Sequence, residues 1–85
     1  MKCQVCEQEG EVNVCSVPGV PYSAAYCKEC FDANAHPYDI VVANTWAAGG
    51  YEKCADWWKG LVDDTLTYLE ISHEDFNKDV ENAGG

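Results

Sequence analysis

The chain has no arginine, and only five lysines stand against fifteen acidic residues over 85 positions, giving a formal net charge of −10. Affinity for DNA or RNA rests on neutralising phosphates with Lys and Arg, so this balance argues against direct nucleic-acid binding. Anionic membrane surfaces are disfavoured for the same reason. No basic region is hidden by averaging: residues 1–36 hold five acids and two lysines, and residues 37–85 hold ten acids and three lysines. The uncharged stretch Ile40–Tyr51 is too short to cross a bilayer, and Asn44, Thr45 and two glycines break it. The N-terminus is polar and reaches Cys3 at once, so it does not read as a secretory signal, and the expected location is the cytoplasm. Also missing are a glycine-rich phosphate loop, a G-x-S-x-G elbow and any motif pairing His36 or His73 with a nucleophile. Asp63 and Asp64 adjoin in sequence but point about 100° apart on a helix, so they do not form a catalytic carboxylate pair. The chain reads as a binding protein rather than an enzyme.

What is present in quantity is cysteine, six residues in a chain with 47% hydrophobic and 12% aromatic content. One domain of this size buries a modest core and often needs a staple. Without an export signal, cysteines indicate metal or free thiols rather than disulfides. Cys3-Gln-Val-Cys6 and Cys27-Lys-Glu-Cys30 form two C-x₂-C pairs with twenty residues between them. Two residues between cysteines let one backbone turn aim both sulfurs at a point about 2.3 Å away, and two such turns complete a tetrahedron. Cys3, Cys6, Cys27 and Cys30 are therefore the expected ligands of one structural Zn²⁺, with iron a chemically possible alternative. Four thiolates and one divalent ion would take the net charge to about −12. Cys15 and Cys54 read as small buried hydrophobes, His36 as a helix terminator and His73 as a solvated residue.

Between the pairs, Glu11–Val17 alternates and Pro18-Gly19-Val20-Pro21 signals a turn, so a β-hairpin returning over Tyr22–Tyr26 is expected. The second pair opens a short helix that stops near His36, before Pro37. Pro37–Ala48 is expected to be helical, with Gly49-Gly50 as its stop. Tyr51–Leu69 carries an apolar stripe at helical spacing and reads as one long amphipathic helix. Ser72 is the expected N-cap of a last helix to Asn82, with Ile71 and Phe76 as its hydrophobic staple. The predicted fold is α+β: a finger at 1–36 packed on two or three helices over 37–83, and a frayed tail at 84–85. The expected core is Phe31, Trp46, Trp58, Leu61, Val62, Leu66 and Phe76.

Knuckle, hairpin, then a helix carrying the second pair resembles the treble-clef family of zinc fingers over residues 1–36. The resemblance implies a structural Cys₄ zinc site and little about function, because such fingers serve many roles. Glu7 stands where these knuckles often have glycine. The short, acidic, cysteine-paired chain is also similar to uncharacterised phage-encoded small proteins, which would place it in a host cytoplasm. On the long helix, Trp57, Leu61, Asp64 and Tyr68 share one strip at i, i+4, i+7, i+11. Aromatics beside acids suit a protein–protein contact, and this strip is the candidate partner-binding surface. Trp57 packing beneath the finger or beneath the Pro37–Ala48 segment is the structural alternative. A different function would be inhibition of a nucleic-acid-processing enzyme by carboxylates that imitate phosphates; the plain alternative is that the acids confer solubility.

Overall fold

A computed structural model describes residues 1–83; the tail expected at Gly84–Gly85 lies outside the described residues. The elements in chain order are β1 (Asn13–Ser16), β2 (Ser23–Tyr26), α1 (Lys28–Asp32), α2 (Tyr38–Ala47), a 3₁₀ turn (Tyr51–Lys53), α3 (Asp56–Leu69) and α4 (His73–Ala83). The architecture is α+β, a two-stranded antiparallel hairpin with four helices. No helix among the described residues is long and apolar enough to cross a membrane.

The N-terminal knuckle closes on itself: the Cys3 N–H donates to the Gln8 carbonyl at 3.0 Å and the Glu7 N–H to the Cys3 carbonyl at 3.0 Å. Glu7 sits at φ 62°, the left-handed region in which a glycine is unstrained. Gln4 then locks the knuckle to the hairpin. Its N–H donates to the Ala25 carbonyl at 2.9 Å, and its side-chain Oε1 accepts from the Ala25 N–H at 2.7 Å. In the hairpin, Asn13 pairs with Tyr26 and Ser16 with Ser23. The turn is closed by the Val17 N–H on the Tyr22 carbonyl at 2.9 Å. Gly19 in that turn has φ +77°, and the Trp57 indole occupies the space a Cβ would need.

Helix α1 is shorter than expected. Asn34 adopts φ 57°, and the Ala35 N–H returns to the Cys30 carbonyl while the Asn34 N–H returns to Phe31, a Schellman stop two residues before His36. Helix α2 falls within one residue of its expected ends and stops the same way, the Gly50 N–H reaching the Thr45 carbonyl. The expected continuous helix over Tyr51–Leu69 is broken: Cys54 and Ala55 are extended, with ψ 152° and 153°. The break lets the Tyr51 hydroxyl fold back and donate to Asp63 at 3.0 Å. In an unbroken helix these residues would lie about 18 Å apart along the axis. Ser72 caps α4 as expected, its Oγ accepting from the Asp75 N–H at 3.1 Å.

Two apolar clusters result. The helical one gathers Val41, Val42, Cys54, Trp58, Leu61, Val62, Leu66, Phe76 and Val80, and the Trp58 indole N–H donates to the Thr45 hydroxyl at 3.0 Å inside it. The other surrounds the knuckle and hairpin with Cys3, Val5, Val17, Ala24, Tyr26, Cys30 and Ala35. Val20 touches both, and Ile40, Tyr68 and Leu69 reach from the helices to the finger. Phe31 and Trp46, expected in the core, are instead 59% and 51% exposed. Each follows an inward position, Cys30 and Thr45 respectively, and the 100° step of a helix turns the next side chain outward. Phe31 is left edge-on to Tyr26 with ring centroids 6.5 Å apart.

Candidate metal centre

The knuckle supplies Cys3 and Cys6, and the segment entering α1 supplies Cys27 and Cys30. Their four sulfurs lie within 4.8 Å of one another. Across the two pairs, Cys3 and Cys30 Sγ are 3.7 Å apart, as are Cys6 and Cys27 Sγ. A tetrahedron with metal–sulfur bonds of about 2.3 Å has edges of about 3.8 Å, so the donor set fits a four-coordinate thiophilic ion. All six cysteines are free thiols. The cluster, hairpin and following helix together make a cysteine zinc-finger-like segment.

The electrostatics are uneven. Burial pushes the Cys3 thiol up, but the N–H groups of Cys6, Cys27 and Val5 outweigh it and leave it at about 6. Two of those bonds are explicit, from Cys27 N at 3.3 Å and Val5 N at 3.4 Å. For Cys6 the Gln8 N–H pulls downward, yet burial and the neighbouring Cys3 and Cys27 sulfurs leave the thiol raised. Burial raises Cys30 strongly, with the nearby Tyr68 hydroxyl opposing. Crowded sulfurs resist sharing several negative charges, and a divalent cation relieves that repulsion. Cys3 and Cys30 are sealed in the core at 1% and 0% exposure, whereas Cys6 and Cys27 are half-buried. Together with Glu9, Glu29 and Tyr68, these two line an open depression of about 400 Å³.

The other candidate residues divide. Cys15 packs at the edge of the finger core, and Cys54 is buried with its thiol donating to the Gly50 carbonyl at 3.3 Å. Neither belongs to the sulfur cluster. His36 does not end α1 as expected, because Asn34 stops that helix first; it joins elements instead. Its Nδ1 meets the Tyr26 hydroxyl at 2.7 Å, its Nε2 meets Asn34 Oδ1 at 3.0 Å, and its backbone N–H donates to Thr65 Oγ1 at 3.1 Å. The Asn34 amide donates onward to Asp64 at 3.0 Å. With its amide donating to Asp64, Asn34 offers Oδ1 to an Nε2–H, and in the neutral ring Nδ1 then accepts from the Tyr26 hydroxyl. Burial lowers the His36 pKa accordingly, with Asp64 opposing. The network ties the finger to α3. His73 is half-exposed and holds Asp63 at 3.1 Å.

The four strip residues on α3 do not form one open surface. Leu61 is 4% exposed and belongs to the helical core. Asp64 is held by Asn34, and Tyr68 packs against the finger cluster that contains Cys30, whose sulfur raises the phenol. Trp57 is 58% exposed and lies across Gly19, beside a slot of about 200 Å³ that Val20, Lys53, Cys54 and Trp58 also line. The Gln4 clamp, the His36 network and the packing of Tyr68 against the finger cluster escaped sequence reasoning. Only the helical position of Tyr68 was visible there.

Comparison with known proteins returns no family model that matches, and no curated protein or solved structure that matches.

Proposed function

We propose that the tetrathiolate holds one structural Zn²⁺ and that the protein is a small acidic interaction module, acting by binding a protein partner rather than by catalysis. The observation that carries this reading is the pair of 3.7 Å sulfur–sulfur edges between knuckle and helix. Four thiolates complete the coordination of zinc and leave no open position for a reacting water, which is the pattern of a structural site. The ion supplies cross-linking energy: it joins the knuckle to α1 and thereby holds the hairpin between them. Trp57, exposed beside its apolar slot, is the anchor on which a partner would close.

The experiment has two arms. Elemental analysis of purified protein should give one zinc per chain, and Co²⁺ substitution should give the charge-transfer bands of a tetrahedral tetrathiolate. Cys30→Ser should lose stoichiometric metal and unfold the finger. Full zinc loading in that variant would overturn the ligand set. Pull-downs from cell lysate with wild type and Trp57→Ala, at low and high salt, test the partner surface. An aromatic anchor holds at high salt, whereas a partner held by charge alone is lost.

A further inference from the structure

We propose that the outer edge of β1 receives an extended, cationic segment of a partner protein, which joins the sheet as an added strand. The hydrogen-bonding pattern shows that this edge is open. Ala25 spends its main-chain N–H and C=O on Gln4, away from β1. Its cross-strand partner is Val14, so Val14 and Ala25 form a non-hydrogen-bonded pair of the ladder. The N–H and C=O of Val14 therefore point outward, and by alternation so do those of Ser16. The 17–22 closure agrees, since it makes Cys15–Ala24 and Asn13–Tyr26 the bonded pairs. Among the described residues, nothing outside the ladder pairs with Val14 or Ser16.

Exposed edges are usually blunted by charge, proline or a bulge. Asn13-Val14-Cys15-Ser16 has no charged residue and no proline, its register is continuous, and Val14 is 62% exposed. Beside the start of the strand lies a depression of about 440 Å³ lined by Glu11, Val12, Asn13, Lys28, Phe31 and Asp32. Strand addition draws affinity from main-chain bonds and specificity from such side pockets. Here the apolar wall is Val12 and the Phe31 ring.

Charge selects the occupant. No cation occurs between Lys2 and Lys28, while Glu7, Glu9 and Glu11 fall in that interval. Lys28 is itself engaged by Asp32 at 3.8 Å. A second copy of a chain carrying −10 would meet repulsion at this edge, whereas lysine-bearing peptide meets attraction.

The test uses zinc-loaded, full-length, ¹⁵N-labelled protein and a capped octapeptide of alternating Lys and Val. Two controls accompany it: the same peptide methylated on every main-chain nitrogen, and a Glu–Val counterpart. The expected result is at least tenfold slower hydrogen exchange at the Val14 and Ser16 amides with the Lys–Val peptide, and no slowing with either control. Val14→Pro removes the outward donor and keeps the bonds of Asn13 and Cys15, and Val14→Lys leaves the backbone untouched. Both should lose the peptide with far-UV dichroism unchanged. Trp57→Ala should bind it normally, which separates this edge from the surface proposed above. Shifts scattered over the acidic helices without protection at Val14 and Ser16 would reduce the effect to charge alone and overturn the proposal. So would concentration-dependent protection without peptide, which would assign the edge to a second copy, or the absence of any binding.

Discussion

Gly19→Ala probes the contact between the hairpin turn and α3, and two separable costs meet there. Gly19 has φ +77°, where an L-residue is strained by about 1 kcal/mol. The new methyl would also stand 3.2 and 3.3 Å from Trp57 Cζ2 and Cζ3, and closer still to Cη2, so the indole must leave its seat. Trp57 is 58% exposed. The covered two-fifths of a side chain of roughly 250 Å² is about 100 Å², worth up to about 2.5 kcal/mol at about 25 cal/mol per Å². Partial re-seating leaves an expected total of about 2–3 kcal/mol for the single substitution. In a domain of this length that lowers the melting temperature by roughly 10–20 °C. In a Trp57→Ala background only the backbone strain remains, about 1 kcal/mol, so the double-mutant cycle should show a coupling of about 1–2 kcal/mol. Urea unfolding followed by far-UV dichroism measures it, with free zinc buffered at one concentration because metal binding adds to apparent stability. Additivity within about 0.5 kcal/mol would refute the contact and, with it, the seating of Trp57 on the hairpin turn.

Glu7→Gly should stabilise the protein by up to about 1 kcal/mol, because Glu7 holds φ 62° without the freedom of glycine; an unchanged or lower urea midpoint counts against the knuckle geometry. Neutral His36 contributes stability that is fully present above its unfolded pKa of about 6.5 and is lost as pH falls through its lowered folded value. His36→Gln keeps a donor and an acceptor and cannot protonate, so the wild-type midpoint should fall more than the variant's between pH 7.5 and pH 5.5 at fixed free zinc. A constant difference between the two would remove His36 from the acid response. At the proposed zinc site, Tyr68→Phe should weaken metal binding about tenfold in competition with a chromophoric chelator while leaving the dichroism unchanged, because it deletes the hydroxyl of a ring packed against the cluster that contains Cys30. Unaltered affinity would make that hydroxyl irrelevant to the metal.

The legible parts were those written in short-range spacing. Two C-x₂-C pairs need only a turn each to aim their sulfurs, and Cys3, Cys6, Cys27 and Cys30 do converge. Gly49-Gly50 ends α2, and Ser72 caps α4, because a positive φ or a side-chain acceptor is a local property. The stop made by Asn34 in left-handed conformation was less visible, since that residue does not demand it, whereas the end expected at Leu69 is where α3 stops. The helical stripe beginning at Tyr51 was misleading for a related reason. Periodicity cannot distinguish a continuous helix from a turn and a helix that bury the same face, and Tyr51 folds back to Asp63 across a break at Cys54–Ala55.

The sequence by itself determined the donor set, the hairpin, the α+β class and the acidity, because each depends on residue type and on neighbours a few positions away. Tertiary structure alone decided which faces meet. It buried Leu61, exposed Phe31 and Trp46, packed Tyr68 against the finger cluster, laid Trp57 over Gly19 and left the edge of β1 unpaired. These outcomes follow from how the finger docks on α3 through His36, Asn34 and Thr65, and docking is a contest between surfaces far apart in the chain that no local pattern encodes.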